Sequence, residues 1–160
     1  MKVSGRSKAD VPIFLSRQDI KLPSVQLFHA IVLAYNKRLD EAYTIFDQNY
    51  KTYPENIFSQ IGIFFKYALQ NEKMKALQSI NYQMLDWYKR DFTNPYSLVL
   101  GLSLINEKDK ALDWLEEWIK LGCINYPLFK NDPFLENIRG EERFKKLMKK
   151  VKYEWENFEI

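Results

Sequence analysis

Asn71-Glu72-Lys73-Met74-Lys75-Ala76-Leu77 recurs downstream as Asn106-Glu107-Lys108-Asp109-Lys110-Ala111-Leu112, with six of seven residues identical at a shift of 35. A third, more diverged copy lies upstream as Lys37-Arg38-Leu39-Asp40-Glu41-Ala42-Tyr43, whose alanine precedes Ala76 by 34 residues. A fixed period of this length marks stacked supersecondary units, each too small to bury its own apolar face. The period sets the fold class before any single element is assigned.

Around each alanine, apolar residues recur at helical spacing: Leu39, Ala42, Tyr43 and Phe46; then Met74, Ala76, Leu77, Ile80 and Met84; then Leu112, Leu115 and Ile119. Each of these amphipathic helices follows another helical stretch, over residues 25–36, 57–69 and 95–105, so every unit reads helix, short polar turn, helix. Pro54 follows the first unit, Asn94-Pro95 offers an N-cap with proline at N1, and Gly122 closes the third unit at C′. Antiparallel helices joined by a tight turn approach most closely near that turn, where only a small side chain fits. Ala42, Ala76 and Ala111 are therefore expected to be the repeat-packing contacts.

Composition agrees with a folded helical chain. The 160 residues suit one domain, 46% are hydrophobic and 16% aromatic, and the net charge is only +3. The single cysteine, Cys123, can form no internal disulfide and has no second thiol for a zinc site, which fits a reducing, cytoplasmic setting. Residues 1–10 carry no apolar core of the kind a secretory signal needs, and the longest apolar stretch, near Tyr96 to Ile105, is half the roughly 20 residues of a membrane span. No export and no membrane partner are expected.

In the first unit, Ala42-x3-Phe46 followed by Pro54 resembles the second half of the tetratricopeptide (TPR) signature, W-x2-L-G-x2-Y, then A-x3-F, then P. Tyr67 stands nine residues before Ala76, as the family's tyrosine stands before its alanine, and Asn71 and Asn106 occupy the place of a common turn glycine. The family's first-helix glycine is replaced by Ala30, Phe64 and Val99, and its tryptophan is missing from all three units. The resemblance covers residues 22–160. It implies an all-α, TPR-like right-handed α-α superhelix: a tail or linker at 1–21, partly disordered; hairpins at about 22–56, 57–91 and 92–122; and capping helices in a closing segment at 123–160.

That closing segment is the more distinctive part. Asn125-Tyr126-Pro127-Leu128-Phe129, Asp132-Pro133-Phe134-Leu135-Glu136-Asn137-Ile138-Arg139-Gly140 and Arg143-Phe144-Lys145-Lys146-Leu147-Met148 look like the terminal segment of TPR arrays in multidomain bacterial signalling proteins. In those proteins the array sits C-terminal to a kinase, cyclase-like or DNA-binding output domain, so the chain is expected to continue upstream. From the residues themselves, Asp132 can cap a helix start with Pro133 at N1. Phe144, Leu147, Met148, Val151, Trp155 and Phe158 then form one apolar stripe that should seal the third unit, opposite a face carrying Lys145, Lys146, Lys149, Lys150 and Lys152.

Residues with catalytic potential lack company. His29 sits among Leu27, Phe28, Ala30 and Ile31, and no second histidine supplies a metal pair or a relay. Cys123 could find only His29, at the far end of the array. Glu116-Glu117 and Glu141-Glu142 read as solvated ion-pair faces, Glu116 lying four before Lys120. The glycines are isolated, so no phosphate loop exists. The lysine run 145–152 is followed at once by Glu154, Glu156 and Glu159, and nucleic-acid binding is not expected. No catalysis, no cofactor, no metal and no small-molecule ligand are inferred.

What the resemblance implies is a groove. In TPR-like stacks the first helix of each unit lines the concave side, and the family's positions carry over to Leu27, Ile31 and Tyr35, then Phe58, Ile61, Phe65 and Leu69, then Tyr96, Leu100 and Leu104. This lining is apolar and aromatic, unlike the lysine, asparagine and arginine with which some family members clamp a chaperone's terminal carboxylate. It suits a protein or peptide partner, such as an amphipathic helix. The alternative is that these side chains are core, or are covered by residues 11–20. The expected function is a non-catalytic protein-protein interaction scaffold, the C-terminal sensor or interaction region of a signalling or regulatory protein. The alternative is a structural module that docks and orients a fused kinase, cyclase-like or DNA-binding output domain.

Overall fold

The computed structural model describes residues 22–90 and 95–158. The tail with Val11, Ile13, Phe14 and Leu15, and the capping position Asn94, lie outside the described residues. Among the described residues the chain is all-α: α1 (Pro23–Tyr35), α2 (Leu39–Thr52), α3 (Ile57–Leu69), α4 (Lys73–Ser79), α5 (Tyr82–Arg90), α6 (Tyr96–Leu104), α7 (Lys108–Lys120), α8 (Tyr126–Asn131), a 3-10 turn (Pro133–Leu135), α9 (Glu136–Arg139) and α10 (Glu142–Glu156). The expected stack of helical hairpins is the observed fold. None of these helices is long and apolar enough to cross a membrane.

The period is visible in the backbone. Lys37, Asn71 and Asn106 are the non-glycine residues with positive φ among those described, at 60°, 56° and 60°, and they recur at the same 34- and 35-residue spacing as the alanines. Each closes a Schellman turn. Lys37 N–H donates to Ala34 O and Arg38 N–H to Leu33 O; Asn71 donates to Ala68 O and Glu72 to Tyr67 O; Asn106 donates to Ser103 O and Glu107 to Leu102 O, all at 2.9–3.1 Å. The next helix starts from the same residues, because Ala42, Ala76 and Ala111 donate their N–H groups to Arg38, Glu72 and Glu107 O. All three alanines are completely buried. Gly122, φ 101°, repeats the turn after α7, as its position predicts.

Between hairpins, two glycines set the approach distance. A Cβ on Gly62 would lie 2.9 Å from Phe46 Cδ1, and one on Gly101 would overlap the ring of Phe64. Phe46 and Phe64 are themselves fully buried, so neither ring has room to retreat. The first and second hairpins therefore each seat an aromatic ring on a glycine of the next hairpin's first helix. By this packing α1, α3 and α6 are held side by side along one face.

Two expectations need correction. The second hairpin does not contain one helix running through Met84. It breaks at Ile80, which is extended at ψ 113°, because Ser79 Oγ turns back on Ala76 O at 2.7 Å and Asn81 Oδ1 accepts Met84 N–H at 2.9 Å. Met74 is 67% exposed. The break lets α5 drop Met84 and Tyr88 into the core, where Tyr88 meets Trp114 and bonds Ser97 Oγ at 2.9 Å. In α10 the stripe seals the third hairpin through Phe144, Met148 and Val151, with Leu147 half-buried. Trp155 and Phe158 are 46% and 67% exposed, since the helix outruns the surface beneath it. Arg143 clips α10 down by pairing with Asp113 and Glu116, both at 2.7 Å.

Two substitutions test these assignments. Gly101→Ala should lower stability by about 1–3 kcal/mol through overpacking on Phe64, even though alanine gains about 1 kcal/mol in helix propensity. Lys37→Gly should raise the urea midpoint, because left-handed backbone costs a residue with a Cβ about 1 kcal/mol. Asn71→Gly should gain less, asparagine tolerating that conformation better. A stabilised Gly101→Ala or a destabilised Lys37→Gly would contradict the packing described.

Candidate functional site

The face lined by the first helices is already occupied by the chain itself. The occupant among the described residues is the stretch following α8; residues 11–20 lie outside them. Asp132 caps the 3-10 turn as its sequence predicts, Oδ1 accepting Phe134 N–H at 2.9 Å. Its other oxygen does something no local pattern announces. Oδ2 accepts two tyrosine hydroxyls, from Tyr35 at the end of α1, at 2.7 Å, and from Tyr96 at the start of α6, at 2.5 Å. One carboxylate thus joins the first and third hairpins.

Phe134 completes the seat. Its ring stacks on Tyr35 with centroids 4.3 Å apart and meets Phe65 of α3 edge-on at 5.8 Å, so residues 132–134 touch the first helix of every hairpin. Behind them Phe129 packs on Tyr96 at 5.9 Å and on Trp118 at 5.5 Å, forming the floor against the third hairpin. Arg139 fixes the backbone, donating to Asp132 O at 2.8 Å while it pairs with Glu136 Oε2 at 2.9 Å. Beside Tyr35 an open recess of about 520 Å³ remains, lined also by Asn125, Pro127, Leu128, Asn131 and Asp132.

The site is a buried carboxyl group held by two hydroxyls and a backbone N–H. Asp132 is 5% exposed. Burial first, and then the hydrogen bond to Asp132 and its charge, push the pKa of both Tyr35 and Tyr96 well above the ordinary 10.0. Both hydroxyls therefore stay protonated and act as donors. The Cys123 thiol is also pushed up by burial, away from the thiolate a nucleophile would need. His29 is half-buried on α1, and among the described residues no group of three His, Cys, Asp or Glu side chains converges as metal ligands would.

The ten groove positions divide. Leu27, Ile61, Phe65 and Leu100 are buried core and present no open surface. Ile31, Phe58, Leu69, Tyr96 and Leu104 are half-buried, Phe58 being covered edge-on by Trp87 at 5.6 Å. Tyr35, at 36%, is the exposed member. The face brings together Tyr35, Phe65 and Tyr96; the residues missed are those that fill it, Asp132 in its bridging role, Phe134 and Phe129. No family model, curated protein or solved structure matches the chain.

The pH dependence follows from the tyrosines. A fold that keeps its phenolic protons where the unfolded chain has shed them has its full stability below the unfolded pKa of 10.0 and loses it as pH climbs beyond. The urea midpoint should therefore hold up to about pH 10 and fall progressively above it. Tyr96→Phe should cost about 1–2 kcal/mol at neutral pH, where it leaves Asp132 short of a donor, and should flatten the alkaline drop. An alkaline drop of the same size in Tyr96→Phe and wild type would show that this hydroxyl is not the buried one.

Proposed function

We propose that the chain is a non-catalytic protein-interaction scaffold of TPR-like architecture, working through the concave side of its stacked first helices. The observation that supports this most is the seat itself: three helices from three hairpins converge on a short peptide segment and grip it by a carboxylate and a ring. A surface that binds one extended segment in this way has the chemistry to bind another, with apolar contact contributing area and hydroxyls fixing register. Tyr35 and Leu128, 36% and 37% exposed at the edge of the open recess, are the contacts best placed for an outside partner.

The chemical inventory supports a non-catalytic reading. Acid-base and nucleophilic chemistry need convergent groups with shifted protonation. The shifted groups at the seat are tyrosines locked as donors and a thiol held neutral, and elsewhere carboxylates such as Glu107 and Glu116 are held below their ordinary range by the cations they pair with. Many of the charged side chains pair with neighbours, as Lys73 does with Glu107 at 2.6 Å and Lys66 with Asp47 at 2.7 Å. A second reading, that the stack docks and orients a fused output domain, is favoured by α1, the first described helix, which leaves Phe28 and Val32 exposed at 49% and 54%.

A displayed peptide library panned on the intact chain tests the scaffold reading. Selected peptides should lose about tenfold in affinity on Tyr35→Ala or Leu128→Ala, the usual effect of removing a contact worth 1–2 kcal/mol, and should be indifferent to Tyr153→Ala on α10. Peptides that ignore both recess variants would remove the concave face from the account; loss on Phe28→Asp alone would favour the docking reading.

A further inference from the structure

We propose that the cradle formed by Tyr35, Phe65 and Tyr96 is a receptor for a partner peptide carrying a carboxylate followed two residues later by an aromatic ring, with residues 132–134 as its built-in competitor. This rests on the scaffold reading and specifies its ligand.

The grip is more than an end cap requires. A cap has to cover the last hairpin, and this segment does so by separate means. Leu135 and Ile138 are fully buried, and Asn137 Nδ2 donates to Ser103 O at 2.9 Å. Arg143 pairs with α7. The reach back to Tyr35, 97 residues earlier in the chain, adds nothing to that seal. It consists of one carboxylate oxygen, held by Tyr35 of hairpin one and by Tyr96 of hairpin three, and one ring placed on hairpins one and two. Those two groups are what a competing peptide would have to supply.

The chemistry defines what can compete. Two hydroxyl donors from different hairpins converge on a single oxygen, and the slot between Tyr35 and Phe65 takes a flat ring. Aspartate two residues before phenylalanine satisfies both, with proline between them favouring the tight turn. Because the donors are neutral, recognition depends on this spacing and little on ionic strength, unlike a lysine or arginine clamp. Phe134 stays partly exposed, and the recess beside Tyr35 gives an incoming chain its approach.

The test uses the intact chain and a fluorescent peptide of residues 130–136, Lys-Asn-Asp-Pro-Phe-Leu-Glu. An Asp132→Ala, Phe134→Ala double variant vacates the seat. It should bind this peptide at least about tenfold more tightly than wild type, since a competitor that fills the site most of the time taxes affinity by that fraction. Replacing the peptide's aspartate by asparagine, or its phenylalanine by alanine, should abolish the gain, as should adding Tyr35→Phe and Tyr96→Phe to the vacated protein. The gain should persist when salt is raised. A vacated protein that stays helical, melts cooperatively and binds no better than wild type overturns the proposal. So does one that cannot fold, because the segment is then obligate core. Library peptides that depend on Tyr35 yet lack the carboxylate-and-ring pattern would also overturn it, while leaving the scaffold reading in place.

Discussion

A left-handed residue five positions before a buried alanine is the constraint on which the rest of this structure depends. At Lys37, Asn71 and Asn106 the chain leaves one helix through a Schellman turn, and at Ala42, Ala76 and Ala111 it enters the next with its first helical hydrogen bond. The turn reverses direction within a few residues, so the two helices must come within a methyl group of each other where they meet. Alanine fits there and larger side chains do not. Repetition at 34 and 35 residues then lays down successive hairpins in the same orientation, and the first helices fall on one side because the period leaves them no other choice.

Everything at the concave face inherits that order. Tyr35, Phe65 and Tyr96 lie far apart in sequence, and they meet only because α1, α3 and α6 run side by side, spaced by the rings of Phe46 and Phe64 on Gly62 and Gly101. Asp132 and Phe134 then bind across the assembled surface. A buried carboxylate without a cation is tolerable when each oxygen has donors, and here one oxygen is satisfied by its own turn and the other by two hydroxyls. The clasp ties the earliest hairpin to the last segment, whereas the stack alone ties each hairpin only to its neighbour.

Local and periodic features were legible in the sequence. The alanines, the asparagines at the turns, Gly122 and the capping role of Asp132 each follow from a short-range rule, and each is found where that rule puts it. Features were lost where periodicity was read without its context. The apolar stripe of α10 continues to Trp155 and Phe158 although no surface lies beneath them. Ile80 fits a helical spacing, yet Ser79 and Asn81 offer backbone hydrogen bonds that end the helix. Lys37 gave no sign of a left-handed turn, because lysine is a poor choice there and is held by the turn around it. The bridge from Asp132 to Tyr35 has no local signature at all, since only the finished stack brings them together.

The face of the first helices is kept occupied by the chain's own segment. Nuclear Overhauser contacts of the Phe134 ring in solution test this most directly. Simultaneous contacts to the rings of Tyr35 and Phe65 are predicted, because those residues meet Phe134 only if the hairpins stack in order and the segment crosses them. A Phe134 ring with contacts to α6 and neither to Tyr35 nor to Phe65 would contradict it.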